Sequence, residues 1–336
     1  MLLSPAVMAE KMLGFYRDHG RKDLPWQQNT TPYRVWLSEI MLQQTQVKTV
    51  IPYYLKFTQH FPDITSLANA DLDDVLNLWQ GLGYYARARN LYKCAQIIRA
   101  EFNGEFPGDI EQLETLPGIG RSTAGAILSF SMNQSAPILD GNVKRILARV
   151  FMVEGWTGAG KTLNQLWQIS EQYTPEENTA EFNQAMMDLG ASLCSRSKPQ
   201  CEICPLNKHC QAFIHNLVED FPNKKPAKKL PVKEQTFLLI TQNDQIYLQK
   251  QPPAGIWGGL WSLPGAEGSS PKQNIITRFK HSFTHFHLYL TIAMDEQKYL
   301  VSDKALSQWH NLSDLERIAL PTPIRKFLFK HFQLEN

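Results

Sequence analysis

The chain has 336 residues, a formal net charge of +2 and a hydrophobic fraction of 43%. This length predicts two domains, each able to bury a core. No apolar run approaches the ~18 residues of a membrane span, and the first twelve residues lack the basic and apolar regions of a signal peptide. We therefore expect a soluble, cytoplasmic protein that does not enter a membrane.

Charge is distributed unevenly along the chain. Residues 1–220 carry 19 Lys and Arg against 23 Asp and Glu, whereas residues 221–336 carry 15 against 9. The longer part is net acidic, so its overall charge does not indicate nucleic-acid binding. A nucleic-acid site there must concentrate positive charge locally or use backbone N–H groups at helix N-termini.

Residues 1–220 are predicted to be mainly helical. Thr31 followed by Pro32 is typical of a helix N-terminus, and residues 33–50 have apolar side chains at helical spacing. Further helices are predicted over residues 72–80, 87–102, 121–132, 142–151, 163–171 and 182–194.

The pattern changes after residue 220. Residues 221–231 are rich in Pro and Lys and predict a linker, whose lysines are either solvated or in contact with phosphate. Strands are predicted at 236–241 and 245–250, as a hairpin around Asn243 and Asp244, and at 283–292, with a closing helix at 323–332. The second domain is therefore expected to be α+β.

Four cysteines lie within seventeen residues, with the spacing C-x6-C-x2-C-x5-C. They are Cys194, Cys201, Cys204 and Cys210. A single C-x2-C flanked by two outlying cysteines favours an iron–sulfur cluster, which is held by thiolates alone. A zinc site and unmetallated thiols remain alternatives. Cys94 lies among apolar residues of a predicted helix and is expected to be a buried hydrophobic side chain.

Two glycine-containing turns precede predicted helices. In the first, at 116–124, a Pro-Gly-x-Gly turn exposes N–H groups that suit a phosphate, although a plain connection between helices is also possible. In the second, Asp140 stands directly before Gly141 and is a good helix N-cap. A helix N-terminus also keeps a carboxylate ionised, so a capping role and a catalytic role are compatible.

Glu39 shares a helix face with apolar residues Val35, Trp36 and Leu42. Desolvation raises the pKa of a carboxyl group and makes it a plausible general acid near neutral pH, which we favour over a structural role. Nearby Gln43, Gln44 and Gln46 could read base edges. The segment at 80–89 combines Tyr84 and Tyr85 with two arginines, as expected either for base stacking or for a core aromatic pair.

Together these motifs resemble the helix–hairpin–helix DNA glycosylase superfamily, to which endonuclease III belongs, over nearly the whole chain. The segments around Glu39 and at 81–85 are similar to the branch that removes adenine from mispairs. The resemblance implies a mainly α glycosylase domain over residues 1–220, with residues 26–134 as a six-helix part. Residues 1–25 with 135–220 would form an iron–sulfur part.

The resemblance also implies roles for individual residues. Glu39 would protonate adenine N7 and later handle the attacking water, while Asp140, assisted by Asn142, would stabilise the developing oxocarbenium sugar. Tyr84 and Gln44 would enter the duplex near the lesion. The other positions expected to contact DNA or the flipped base are Trp26, Gln27, Leu42, Gly118, Gly120, Ser122 and Lys144. The four clustered cysteines would hold a [4Fe–4S] cluster, with Lys198 and Lys208 near DNA.

One position separates two classes within the superfamily. Relatives with lyase activity carry a lysine directly after the Gly-Arg of the hairpin, where this chain has Ser122. A hydroxyl cannot form an imine with the sugar, so the chain is expected to be a monofunctional glycosylase. Lys144 could still trap the abasic product weakly.

The segment Trp257 to Gly265, WGGLWSLPG, resembles a Nudix fold and implies a lesion-recognition domain over residues 232–336. No Arg-Glu-x-x-Glu-Glu run follows Gly265, so pyrophosphatase activity is not expected. Recognition of 8-oxoguanine would be the role of Phe283, Thr284 and His285, with Thr284 where relatives often have serine.

The expected function is thus base-excision repair by a monomer acting on double-stranded DNA with adenine opposite 8-oxoguanine or guanine. The alternative functions are a bifunctional glycosylase/lyase for oxidised pyrimidines, a non-catalytic DNA-binding or redox cluster protein, and a nucleotide pyrophosphatase. Ser122 argues against the first, and the missing acidic run argues against the last.

Overall fold

The fold is described from a computed structural model, for residues 3–226, 229–253, 255–266, 274–294 and 307–334. The chain divides into two compact units, Met1–Ala68 with Lys93–Ala227 and Asn69–Tyr92 with Lys228–Asn336. The expected division kept residues 69–92 in the helical domain. In the structure this segment belongs to the second unit. The side chains of Gln80, Tyr85 and Arg89 donate hydrogen bonds to backbone carbonyl groups of the C-terminal part.

The helices, in chain order, are α1 (Pro5–His19), α2 (Pro32–Leu42), α3 (Val47–His60), α4 (Ile64–Ala68), α5 (Leu72–Leu78), α6 (Ala86–Glu101), α7 (Ile110–Thr115), α8 (Arg121–Ser131), α9 (Gly141–Val150), α10 (Gly160–Tyr173), α11 (Thr179–Ala191), α12 (Gln211–Ile214) and α13 (Thr322–His331). Helices α5 and α13 lie in the second unit, where α6 also begins. The predictions for α5, α6, α8 to α11 and α13 are confirmed to within three residues at each end. Within the described residues, no helix combines the length and apolar character that a membrane crossing requires.

The predicted helix over residues 33–50 is wrong, because two helices occupy this range. Thr31 caps α2 as predicted, since its hydroxyl accepts a hydrogen bond from Arg34 N at 3.2 Å. The chain then leaves the helix after Leu42, and Gln44 adopts a left-handed backbone with φ of +60°. Apolar spacing continues across this turn, so periodicity alone did not show the break.

Helix α1 was not among the predicted stretches, yet it helps to form the core of the first unit. Met8 and Met12 are fully buried, and they belong to one apolar cluster with Leu147 of α9 and Leu189 of α11. Helices α9 and α11 therefore have a fixed packing partner beneath them, which matters because the N-terminus of α9 carries Asp140.

The second unit contains two sheets. Its strands are β1 (Val232–Leu239), β2 (Thr241–Gln242), β3 (Gln245–Lys250), β4 (Trp261–Ser262), β5 (Ile275–Ser282), β6 (His287–Met294) and β7 (Ser307–Asn311). One sheet has the order β1-β6-β5, and the other has the order β2-β3-β4 with β7 paired to β3. Burial alternates along β6, where Leu288, Leu290 and Ile292 face the core and Tyr289 is exposed.

Two strand predictions need correction. The predicted hairpin around Asn243 and Asp244 is present but short, since Thr241 and Gln242 of β2 pair with Ile246 and Gln245 of β3. Residues 236–239 instead belong to β1, which pairs in parallel with β6. The predicted strand at 283–292 starts too early, because residues 283–286 form the turn between β5 and β6. Long-range pairing decided both cases, and sequence periodicity carries no information on which strands meet.

Candidate active site

Eight of the predicted site residues of the first unit line one cavity of about 1090 Å³. They are Trp26, Gln27, Glu39, Leu42, Gln44, Ser122, Asp140 and Asn142. These residues come from separate segments of the sequence, so only the packing of the helices brings them together. The cavity is large enough for a base and its sugar.

Glu39 is half-buried on α2 with its side chain on the cavity. Burial, and to a smaller extent the charge of Asp140, raise the pKa of Glu39 to about 8. Within the described residues, no hydrogen bond donor holds this carboxyl group in its ionised form. A carboxyl group in this environment carries a proton at neutral pH and can donate it.

Asp140 is the N-cap of α9, as predicted. Its Oδ1 accepts hydrogen bonds from the backbone N–H groups of Asn142 (3.0 Å) and Val143 (2.8 Å), and its Oδ2 accepts one from Asn142 Nδ2 (3.0 Å). The pKa of Asp140 is raised above its usual value, because burial outweighs the three hydrogen bonds and the charge of Arg145 that lower it. Three donors on one carboxyl group favour its ionised form. Glu39 lacks such donors within the described residues, so of the two carboxyl groups on this cavity it is the one expected to hold the proton.

Ser122 lies at the start of α8, and its hydroxyl accepts a hydrogen bond from the backbone N–H of Leu139 at 3.0 Å. Leu139 immediately precedes Asp140, so Ser122 fixes the approach of the chain to the Asp140 carboxylate. The position that would carry a nucleophilic amine in a lyase is occupied here by a structural hydroxyl.

The cysteine loop packs against the far end of α9. Cys194, Cys201, Cys204 and Cys210 all line one small cavity with an apolar wall, and they form no disulfide. Arg149 is buried, and its Nη1 donates to Cys194 Sγ at 3.3 Å and to Ser195 O at 2.8 Å. Burial, with the charges of the other three cysteines, raises the pKa of Cys204 to about 12, although a backbone hydrogen bond opposes this.

Comparison with known proteins identifies the family. Residues 37–172 match the HhH-GPD superfamily of base excision DNA repair proteins, and residues 235–330 match the NUDIX domain. The chain is 45% identical to the adenine DNA glycosylase of Buchnera aphidicola subsp. Acyrthosiphon pisum, covering 96% of this chain and 97% of that one. The chain belongs to the adenine DNA glycosylases.

A second relative and a solved structure agree with this assignment. The adenine DNA glycosylase of Buchnera aphidicola subsp. Baizongia pistaciae is 41% identical over 98% of this chain and 97% of its own. A thermostable thymine-DNA glycosylase superposes with a TM-score of 0.56 at 25% identity, covering 63% of this chain and 97% of that chain. The glycosylase thus combines a helical HhH-GPD domain with an α+β Nudix-like domain.

The glycosylase has a hydrogen-bonded link behind Asp140 that sequence reasoning missed. Arg145 Nη2 donates to Asn142 Oδ1 (2.9 Å) and Gly190 O (2.7 Å), and Arg145 Nε donates to Cys194 O (2.8 Å). The absence of a side chain at Gly190 allows α11 to lie close to Asn142, since a Cβ atom at position 190 would lie only 2.5 Å from Asn142 Cβ. No local pattern in the sequence marks Arg145, because its partners Gly190 and Cys194 lie 45 and 49 positions away.

The wall of the cavity near Trp26 also depends on residues that sequence reasoning missed. The Arg21 guanidinium forms an ion pair with the buried Asp188 of α11, with Nη2 at 2.6 Å and Nε at 2.7 Å from Oδ1. The Arg21 backbone N–H donates a hydrogen bond to Oδ2 at 2.8 Å. Gln184 Nε2 donates to the same carboxylate at 2.9 Å and lines the cavity. Gln27 Nε2 donates to Arg21 O at 2.9 Å. The ion pair therefore anchors the segment that carries Trp26 and Gln27.

The remaining predicted residues of the first unit lie outside this cavity lining. Gly118 and Gly120 are exposed, and Gly118 has a φ of +84°. Gly120 is the N-cap of α8, and the first backbone N–H groups of a helix have no hydrogen-bond acceptor within that helix. Lys144 is half-buried on α9, and burial lowers its pKa although Asp140 opposes this. Lys198 and Lys208 are exposed on the cysteine loop.

The other predicted residues belong to the second unit. Tyr84 is 44% exposed and has a left-handed backbone with φ of +49°. Phe283, Thr284 and His285 form the turn after β5, in which Thr284 and His285 are exposed and Phe283 packs on Phe286. These positions suit contacts with a partner molecule, since the polar groups of the turn face solvent.

Proposed function

We propose that this glycosylase removes adenine opposite 8-oxoguanine or guanine, and that Glu39 and Asp140 carry out the reaction as acid and electrostatic partner. The observation that supports this most directly is the pair of carboxyl groups on one cavity in opposite hydrogen-bonding environments. Such a pair supplies a proton donor and a permanent anion at the same pH.

In the first step Glu39 donates its proton to N7 of a flipped adenine. The C1′–N9 bond then breaks, its electron pair leaves with adenine, and positive charge develops on the sugar. The Asp140 carboxylate stabilises this charge, because its three N–H partners keep it anionic. Glu39, now ionised, accepts a proton from the water that attacks C1′.

The reaction stops at the abasic site in this proposal, because the position expected for a nucleophilic amine is Ser122. Its hydroxyl is bonded to Leu139 N and lacks the amine that forms an imine. Burial lowers the pKa of Lys144 and gives that residue some nucleophilic character, so weak trapping of the abasic product is expected without efficient strand cleavage.

The cysteine loop is proposed to hold a [4Fe–4S] cluster. The four thiols share one cavity, but among the described residues no group of His, Cys, Asp or Glu side chains is placed to hold a single metal ion. A cluster separates its four ligands more widely than one zinc ion does. When bound, the cluster would join the four cysteines and so cross-link the loop. Arg149 donates a hydrogen bond to Cys194 Sγ, and the loop presents Lys198 and Lys208.

DNA recognition is proposed to involve both units. The exposed amides at the N-terminus of α8 suit a phosphate, and the Phe283–His285 turn suits the base opposite adenine. The Thr284 hydroxyl provides a donor and an acceptor there. The glycosylase would act as a monomer on double-stranded DNA.

The test is a short duplex with a single adenine opposite 8-oxoguanine, incubated with excess protein, half of which is then heated with alkali. Breakage at adenine only after alkali supports a monofunctional adenine glycosylase. Breakage without alkali would move the chain to the lyase class. A duplex with A·T at the same position is the substrate control.

Glu39→Gln is the protein control for this experiment. It keeps the shape of the side chain but removes the transferable proton, so excision should be lost while mismatch binding remains. Excision at the wild-type rate would show that Glu39 is not the acid. Absence of any breakage with wild-type protein would leave a binding or redox function.

A further inference from the structure

The turn between α5 and α6 carries the exposed Tyr84 and has an unusual backbone. Gly81 (φ +103°), Gly83 (φ +70°) and Tyr84 (φ +49°) are all left-handed. Glycine adopts this region readily, whereas a tyrosine keeps it only where the surroundings hold it. The contacts that hold the turn therefore decide where the Tyr84 ring lies.

The inner side of the turn is held by residues of the same segment. Trp79 Nε1 donates to Gly83 O at 3.2 Å, and Arg87 Nη2 donates to the carbonyls of Leu82 and Gly83 at 3.3 Å each. Arg87 is buried, and its guanidinium lies 5.4 Å from the centre of the Tyr84 ring. These bonds fix the curvature of the turn, but they do not fix its position on the unit.

The outer side is held by the C-terminal part of the chain, just before α13. Gln80 Nε2 donates to Leu320 O at 3.3 Å, and Tyr85 Oη donates to the same carbonyl at 3.5 Å. Arg325 Nη1 donates to Gln80 Oε1 at 3.4 Å. The two residues that flank the turn therefore bind one carbonyl group, with Tyr84 between them.

The helices on either side are attached to the same part of the chain. Lys250 Nζ lies 2.6 Å from Asp73 Oδ1 of α5, and Arg89 Nη1 of α6 donates to Gly258 O. The first is a half-buried ion pair, and a single ion pair near the surface contributes little alone. Here it adds to three other attachment points along one segment of 17 positions, from Asp73 to Arg89.

We propose that the Nudix-like domain positions Tyr84 on the DNA, with Gln80 as the main positioning residue. The domain would then act on mismatch recognition through Tyr84, in addition to its own contact with the base opposite adenine. This inference rests on the proposed DNA role of Tyr84. Residues of the C-terminal domain, such as Leu320 and Arg325, would then determine the position of Tyr84, which precedes that domain in the sequence.

A double-mutant cycle in the full-length protein tests this. Gln80→Leu, Tyr84→Ala and their combination are placed in the Glu39→Gln background, which allows binding to be measured without excision. The readouts are affinity for an A·8-oxoguanine duplex and the fluorescence of a 2-aminopurine beside the mismatch, which reports unstacking.

We expect Gln80→Leu to weaken mismatch binding about tenfold and to reduce the 2-aminopurine signal, a coupling within the range for residues in one network. In the Tyr84→Ala background Gln80→Leu should cause no further loss. Equal losses in both backgrounds would show that Gln80 does not act through Tyr84, and would overturn the inference.

Gln245→Leu is the matched control, because Gln245 is a half-buried glutamine of the same unit whose side-chain amide donates to Asn311 Oδ1 at 3.0 Å, away from the Tyr84 turn. It should leave both readouts unchanged. If Gln80→Leu lowers the melting temperature strongly, Tyr85→Phe replaces it in the same cycle, since this change removes only the hydroxyl. The inference would also be overturned if the Gln80→Leu and Tyr85→Phe variants both fold and both leave binding and fluorescence unchanged.

The two proposals fail in different ways. Failure of the proposed function appears as absence of adenine excision by protein with Glu39 intact. Failure of this inference appears as additivity of Gln80 and Tyr84 in binding, whatever the excision result. The two measurements use different protein backgrounds and do not depend on each other.

Discussion

The hydroxyl of Ser122 accepts a hydrogen bond from the backbone N–H of Leu139, at 3.0 Å, one residue before Asp140. This contact joins the start of α8 to the N-terminus of α9. Both helices therefore meet at the candidate catalytic carboxylate. Ser122, which is proposed to separate this chain from lyases, thus also has a structural role in the site.

Replacing Ser122 by alanine should slow adenine excision about fivefold. The change leaves the buried N–H of Leu139 without its partner, which costs on the order of 1 kcal/mol and loosens Asp140. Single-turnover excision is the measurement. Ser131→Ala is the control, because the Ser131 hydroxyl bonds only to Ile127 O within the same helix; an equal effect of both changes would contradict the role of Ser122.

Gly190→Ala should lower excision by at least about tenfold, with a smaller effect on DNA affinity. The added methyl group would lie 2.5 Å from Asn142 Cβ and displace one of the three donors to Asp140. Gly14→Ala is matched to it, since Gly14 lies within α1 and a Cβ atom there would contact only the end of Arg17, at 3.8 Å. Normal excision by Gly190→Ala would show that Asn142 does not need this position.

The excision rate should fall as pH rises above about 8, where Glu39 loses its proton. Because the pKa of Glu39 is higher in the folded than in the unfolded protein, the folded state binds the extra proton. Its stability is then full below the unfolded pKa, near 4.5, and decreases as pH rises to about 8.

Glu39→Gln should remove this dependence. Its melting temperature should match the wild type at pH 4 and exceed it by roughly a few degrees at pH 8. Thermal unfolding monitored by circular dichroism at both pH values is the measurement. If the wild-type protein is as stable as the variant at pH 8, ionisation of Glu39 does not lower the free energy of unfolding, and the prediction is wrong.

Arg149→Met should reduce the iron content and the visible absorption of the purified protein. Arg149 is buried and donates hydrogen bonds to Cys194 Sγ, Ser195 O and Phe221 O, so its loss leaves acceptors unpaired. The change also removes a charge that opposes the burial-induced rise in the pKa of Cys201. Arg196→Met, at an exposed position of the same loop, should retain normal iron. A colourless wild-type protein loaded with zinc would instead refute the cluster.

Thr284→Ala should reduce the preference for adenine opposite 8-oxoguanine over adenine opposite guanine, whereas Thr284→Ser should keep it. The serine variant retains the exposed hydroxyl of the 283–286 turn, and the alanine variant does not. Excision rates on the two duplexes are compared. Equal preference in all three proteins would remove Thr284 from base recognition.

The sequence by itself determined the local features of this protein. Thr31 and Asp140 could be predicted as helix caps because a cap depends on residues within three positions. Glu39 could be predicted as a desolvated acid because its apolar neighbours lie within one helical turn on either side. The spacing of the cysteines likewise required no knowledge of the fold.

Only the tertiary structure decided which distant segments meet. It placed eight predicted residues on one cavity, joined Arg145 to Cys194 across 49 positions, and paired β1 in parallel with β6. It also assigned residues 69–92 to the C-terminal unit, through Gln80 and a carbonyl group 240 positions away. Helical and strand periodicities report which face of an element is buried, but the partner of that face is set by packing over the whole chain.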